Sequence, residues 1–309
     1  MLKQLLLTTL LTTPLFAAEP LFTLTDPRGD DYGNGKLQYP MSADYARGDL
    51  DLVKFAARRT DGGTTFEATF ARPVRRPDGR TVDAIGTSLD EMARLGFFTF
   101  NLDVYIDTDG QPDSGSTTSL PGRRVLVDPS TAWEKAISLT PQPELARDEL
   151  KRIVIREERR AEQEEGKKGI VTEEERTQLT RGVDEYVFFP TRVRVLGNRV
   201  EFFVPDSFLG LEGAKPSWSY VVAVSGADVV QRLDKSNVIM RRGNTTEALM
   251  ILPVGTGRPT DRFGGALEND NYLPPIIDAI VPAGSDQKTV LSSYDADADK
   301  PAVLKGVKP

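Results

Sequence analysis

The chain has 309 residues, with 39 Lys and Arg against 46 Asp and Glu, a net charge of −7, and neither His nor Cys. Losing both residue types removes Ser-His-Asp and Cys-His nucleophiles, His or Cys zinc sites, His-ligated haem or copper, and any disulfide. The acidic balance lacks the basic footprint that nucleic acid needs, which leaves carboxylate chemistry and oxygen-ligand metals.

Residues 1–18 read as an export signal, with Lys3 as the positive start and an apolar run from Leu5 to Phe16. The expected cleavage point is near Ala17 or Ala18. The run is too short to span a membrane, and no other segment approaches 18 apolar residues. The mature chain, 19–309, is therefore expected as one exported domain in the periplasm, at the cell surface or in the medium.

The segment that follows, Asp26-Pro27-Arg28-Gly29-Asp30-Asp31-Tyr32-Gly33-Asn34-Gly35, packs three carboxylates and three glycines into one turn. Crowded carboxylate oxygens are what calcium takes as ligands, and glycine permits the backbone to fold around an ion. Read as composition alone, the same stretch is equally an acidic surface loop.

Short alternating or β-branched runs then dominate: Phe22–Thr25, Leu50–Ala57, Thr64–Ala71, Phe97–Asp107, Arg124–Val127, Val187–Val195, Val200–Val204, Ser217–Ser225, Ala248–Leu252, Ile276–Val281 and Thr289–Ser292. Asp61-Gly62-Gly63 and Gly197-Asn198 are hairpin signals between such runs. In the fourth run Phe100, Leu102, Val104 and Ile106 share one face, and Asn101, Asp103 and Tyr105 the other. The pattern predicts a mainly β, antiparallel sandwich.

Asp107-Thr108-Asp109-Gly110-Gln111-Pro112-Asp113 resembles the first half of a calcium loop without the distant glutamate of an EF-hand. Residues 144–182 break the β pattern: a charged helical stretch with a sparse stripe of Leu145, Leu150, Ile153 and Val154 that extends toward Ala161, a turn at Gly166-Lys167-Lys168-Gly169, and a capping box at Thr172–Glu175. This is an inserted helical hairpin, either a solvated excursion or a docking arm. Gly255–Asn271 reads as a long surface loop and Asp295–Pro309 as a loose polar tail.

These residues carry a resemblance. Asp26-Pro27, Gly29-Asp30-Asp31, Gly33, Gly35, Tyr39-Pro40, Gly48-Asp49-Leu50-Asp51-Leu52 and Phe55 match in order. Asp103-Val104-Tyr105-Ile106-Asp107, Leu120-Pro121-Gly122-Arg123, Trp133-Glu134-Lys135-Ala136, Phe263-Gly264-Gly265, Ile276-Ile277-Asp278, Asp286-Gln287 and Leu291 follow. Over about residues 20–305 the chain resembles the C-terminal domain of glucodextranase and of bacterial amylopullulanases. That domain is a DOMON-like β-sandwich of jelly-roll type, related to family-nine carbohydrate-binding modules. The resemblance implies a sandwich, calcium in the N-terminal acidic loop, and binding rather than catalysis.

The first calcium set is Asp26, Asp30 and Asp31 with Asp51 and Asp103, since such carboxylates repel unless a cation offsets them. The second is Asp107, Asp109 and Asp113, whose other reading is a turn that uses Asp and Gly for backbone geometry. Trp133 and Trp218 are expected in the core. Tyr32, Tyr39, Tyr45 and Tyr272 are the loop aromatics open to sugar contact. The expected partner is a polysaccharide, an α-glucan or cell-envelope glycan. The alternative is a structural role in which the helical hairpin docks to a surface-layer or outer-envelope protein.

Overall fold

The computed structural model describes residues 19–82, 86–230, 249–257, 260–267 and 272–309, so the export signal expected at 1–18 lies outside the described residues. Among the described residues the chain is mainly β. Strands β1 (Phe22–Thr25), β2 (Leu52–Thr60), β3 (Gly63–Phe70), β8 (Val193–Leu196) and β9 (Arg199–Pro205) form one sheet, in the order β1-β2-β3-β9-β8. A second sheet has the order β11-β10-β4-β6-β7, from β4 (Phe100–Asp107), β6 (Lys135–Leu139), β7 (Val187–Phe188), β10 (Ser219–Gly226) and β11 (Ile276–Ile280). The hairpin signals close where expected, with Thr60 opposite Gly63 and Leu196 opposite Arg199.

Inward side chains of the two sheets make one core. Phe55, Phe66 and Phe202 of the first sheet meet Leu102, Val104, Ile106 and Val222 of the second. The second sheet is buried on its other face too, where Tyr105, Val221, Ala223 and Ala136 belong to a separate cluster. Helices α1 (Leu89–Met92), α2 (Pro143–Glu164), α3 (Glu173–Tyr186) and α5 (Gln287–Leu291) supply residues to that cluster or pack on it, while α4 (Asp206–Leu209) caps the inter-sheet core. Ala146, Leu150, Ile153 and Val183 are buried there. The arm is thus part of a second core over its first turns, and it runs out into solvent beyond Val154.

Four expectations need correction, the first being the run Ala248–Leu252, which forms no strand over its described residues: Ile251 makes an isolated bridge with Ala227. The sandwich is not wholly antiparallel: β6 runs parallel to β7, and β5 (Val125–Val127) runs parallel to β12 (Ala302–Leu304). A parallel pair needs a long crossover, and α2 with α3 is the one between β6 and β7. The tail is not loose, because Ala302 and Leu304 are buried and Val307 exchanges backbone hydrogen bonds with Tyr220. Finally, Thr289–Ser292 is not a strand. Asp286 accepts from the Thr289 N–H and hydroxyl, so it caps α5, whose last residue is Leu291. Trp133 and Trp218 are both core residues, as expected, the first packed on Tyr105 with its indole N–H donating to the Thr118 carbonyl.

Candidate functional site

The acidic turn 26–35 lies against the rim where the two sheets meet. The Asp26 N–H donates to the Val53 carbonyl, which fixes the exit from β1 beside the start of β2. Gly33 has φ of +57° and donates its N–H to the Ile277 carbonyl. A Cβ there would lie 2.7 Å from the Ile276 carbonyl oxygen, so this close approach to β11 requires glycine. Gln287 locks the same contact, with its amide donating to the Asp30 and Gly33 carbonyls and its oxygen accepting from the Ala279 N–H.

That docking brings a further carboxylate to the turn. Antiparallel register sets Asp278 of β11 opposite Val224, a residue of the inter-sheet core, just before a bulge between Val224 and Ser225. Asp278 is fully buried, and its Oδ2 accepts from the Leu52 N–H of the other sheet at 2.6 Å. Asp26, Asp30 and Asp278 each offer an oxygen within 4.8 Å of the others. Oxygens gathered this closely are near the spacing of ligands that share one calcium ion, whose calcium–oxygen distance is about 2.4 Å.

The neighbours complete an all-oxygen environment. Asp51 accepts the Gly29 N–H at 2.7 Å, and Asp31 accepts the Gly48 N–H and the Tyr39 hydroxyl. Each has a second oxygen with no partner. Asp26 Oδ2, Asp30 Oδ1, Asp31 Oδ1 and Asp51 Oδ1 are all buried and without a hydrogen bond. Burial pushes Asp26 up to about 8, with Asp30 and Asp51 adding to the rise. Burial likewise pushes Asp278 well above the carboxylate range, with Asp26 and Asp30 adding. Asp30, Asp31 and Asp51 are raised for the same first reason. Orphaned oxygens, hard donors and mutual repulsion are what a divalent cation of the calcium type relieves, so the residues present fit that group.

Asp103 does not join them. It projects from the opposite face of its sheet, in register with Ala223, and both its oxygens are taken. Arg123 grips it through Nε at 2.7 Å and Nη2 at 3.0 Å, and the Ser138 hydroxyl donates at 2.7 Å.

Asp107 and Asp109 gather instead with Glu134, at the far end of β4 from the first cluster. Here the turn's own donors meet the demand. Asp107 accepts the Gly110 N–H, Asp109 the Gln111 N–H and the Ser114 hydroxyl, and Glu134 the Thr108 N–H and hydroxyl. Asp113 stays outside this group, in the left-handed region at φ 61°, with its N–H on the Pro129 carbonyl.

Asp278 and Glu134 escaped the sequence reading of ligands. A carboxylate inside the apolar run Ile276–Ile280 was the available signal for the first. Glu134 had none beyond its place before a strand.

The first cluster is joined to a cleft of about 840 Å³, lined by Tyr32, Leu37, Gln38, Tyr39, Met41 and Arg47 among others. Tyr39 belongs to both, since its ring lines the cleft while its hydroxyl donates to Asp31. The guanidinium of Arg47 and the ammonium of Lys288 lie over the Tyr32 ring, 4.8 Å and 5.2 Å from its centre. Of the other loop tyrosines, Tyr45 is buried with its hydroxyl on the Ala227 carbonyl, and Tyr272 donates to Asp299.

A mainly β protein whose buried acidic rim meets a polar-edged cleft is built to bind. A family model described as the C-terminal binding-module, SLH-like, of glucodextranase matches residues 21–306, and the chain belongs to that family. The family is a binding module rather than a catalytic one. Among curated proteins none matches the chain. No helix among the described residues is long and apolar enough to cross a membrane.

Proposed function

We propose that this protein is an exported, non-catalytic saccharide-binding module, a DOMON-like β-sandwich stabilised by calcium, that takes an α-glucan or a cell-envelope glycan at the extracellular or cell-surface side. One observation carries the reading: the stretch 26–39 supplies both Asp26 and Asp30 of the acidic cluster and most of the cleft lining, and the two are tied together by the hydrogen bond from Tyr39 to Asp31. Asp26, Asp30 and Asp278 would hold the ion, with Asp31 and Asp51 closing its surroundings. The ion would supply the positive charge that lets these carboxylates stay ionised together in the fold.

In the cleft, Tyr32 and Tyr39 present aromatic carbon to sugar C–H groups, and Arg47, Gln38 and Lys36 present donors to hydroxyls. Co-sedimentation of the protein with starch and with cell envelopes, in calcium and in EDTA, tests this. Calcium-dependent retention is expected, with Tyr32→Ala weakening it about ten-fold, the size of one lost stacking contact. Equal retention of the variant would move the site elsewhere, and no retention on either material would reject the reading.

A groove of about 630 Å³ between the arm and the sandwich favours a second reading, docking to an envelope protein. Leu120, Trp133, Val154, Leu179 and Tyr186 line it, with Glu157, Glu158 and Glu175 among its polar residues. Deleting the arm would open the second core, so the test is Leu179→Glu, a half-buried groove position. Under this reading the variant loses envelope retention and keeps its melting temperature within about 2 °C, as for a surface change. Unchanged envelope retention would remove the groove from consideration.

A further inference from the structure

The outer face of the first sheet is chemically unlike the rest of the molecule. Register sets Glu67 of β3 directly opposite Glu201 of β9, an arrangement that repels unless cations answer it. They come from the neighbouring strands. Lys54 Nζ lies 2.6 Å and Arg199 Nη1 3.1 Å from Glu67, and Arg58 Nη2 lies 3.0 Å from Glu201. Arg194 is 3.9 Å from Glu201, with its side chain 73% exposed. The carboxylates lie beneath at about 10% exposure and hold the more exposed guanidinium groups of Arg58 and Arg199 in place.

Two troughs of about 400 and 450 Å³ cross this face and share Arg58, Thr60 and Glu201. Their ionised lining is Lys54, Arg58, Arg59, Arg192, Arg194 and Arg199 against Asp61, Glu67 and Glu201. That is a surplus of three positive charges, or of two once Asp206, which grips Arg59, is counted, on a chain of net charge −7. Arg192 stacks on Phe203, 4.1 Å from the ring centre, and Thr23, Thr60 and Thr65 add hydroxyls.

We propose that this face binds an acidic polysaccharide, a glycan carrying carboxylate or phosphate groups at intervals. Arginine's planar fork matches both anions. The charge is too sparse, and too far neutralised by Glu67 and Glu201, to track a duplex with one phosphate every ~1.7 Å. It suits a polymer with a charge on only some sugars, whose hydroxyls the threonines can bind between arginines. The face is separate from the Tyr32 cleft and does not depend on the saccharide proposed there.

The experiment measures retention of the full chain, at low ionic strength in calcium, on beads bearing hyaluronate or poly(glycerol phosphate). Neutral pullulan and an oligothymidylate serve as comparison beads. Retention on at least one acidic polymer is expected, falling as salt is added. The triple variant Arg192→Gln, Arg194→Gln, Arg199→Gln should bind about ten-fold more weakly, as three exposed charge contacts are lost. Arg58 and Lys54 still answer Glu201 and Glu67 in that variant, and an unchanged thermal melt confirms that it folds. Tyr32→Ala should bind the acidic beads as the wild type does, which separates this face from the cleft. Retention on hyaluronate alone identifies a carboxylate ligand, and retention on poly(glycerol phosphate) alone a phosphate ligand. Retention on neither, wild-type binding by the triple variant, or equal binding to the oligothymidylate would overturn the proposal.

Discussion

Asp103→Ala is expected to destabilise the protein by about 3–5 kcal/mol, the cost of leaving one member of a buried ion pair alone. Both partners are about 1% exposed. Arg123 keeps its contacts to the Pro121 and Leu249 carbonyls but loses both charged hydrogen bonds, and the buried Glu149 carboxylate nearby is left to answer its charge in part. The melting temperature should fall by roughly 10 °C, at about 2–4 °C per kcal/mol for a chain of this size. Replacing both residues together, Asp103→Leu with Arg123→Met, should recover most of the loss, because a hydrophobic substitute for a buried pair is often neutral. Calcium should stabilise Asp103→Ala as much as wild type, since Asp103 faces away from the acidic rim. A loss below about 1 kcal/mol, typical of an exposed pair, would contradict the buried pair. A lost calcium response would return Asp103 to the ligand set.

The second large effect is the dependence of stability on pH and calcium together. Asp26 has an ordinary value of 3.8 and is pushed up to about 8 in the fold, first by burial. A carboxyl raised in this way favours folding when protonated. Its contribution is complete below about pH 4 and is lost as pH rises through about 8. Asp278 is raised in the same direction, so the two act together. Glu67 and Asp206, held low by Lys54 and Arg59, run the opposite way at acid pH, so the useful quantity is the difference between calcium and EDTA at each pH. A bound calcium ion would replace the protons, so its increment is expected to be small near pH 5 and large near pH 8. At 100 times its dissociation constant it should add roughly 2.7 kcal/mol, or about 5–10 °C. Asp278→Asn keeps an acceptor for the Leu52 N–H and removes a buried carboxyl whose ionisation the fold disfavours. In EDTA near pH 8 this variant should melt at or above the wild-type temperature, and calcium should no longer raise it. A melting temperature equal in calcium and EDTA near pH 8 would reject a stabilising ion.

The acidic turn was legible in the sequence because its signal is local: Asp26, Asp30 and Asp31 lie within six residues, among glycines. Asp51 was reachable because it precedes the strand that pairs with β1. Asp278 was not, since it comes from a strand near the other end of the chain. Only the packing of the turn on β11 brings it in. Alternation puts Asp103 on the polar face of its strand without saying what covers that face. The covering layer comes from the arm, the 120–123 loop and the C-terminal strand, and each is fixed by tertiary contact. The same limit hid the parallel pairs, because direction between strands distant in sequence leaves no trace in their periodicity. The hairpins at 61–63 and 197–198 were legible for the opposite reason, as turn chemistry settles both strands and register.

The central claim is that a calcium ion joins the N-terminal turn to β11 and so shapes the cleft. Isothermal titration of calcium into the EDTA-stripped, dialysed protein near pH 8 tests it most directly. Saturable binding is expected, with protons released as Asp26 and Asp278 ionise, retained in Asp103→Asn and lost in Asp278→Asn. Absence of binding in the wild type, or binding undiminished in Asp278→Asn, would contradict the account.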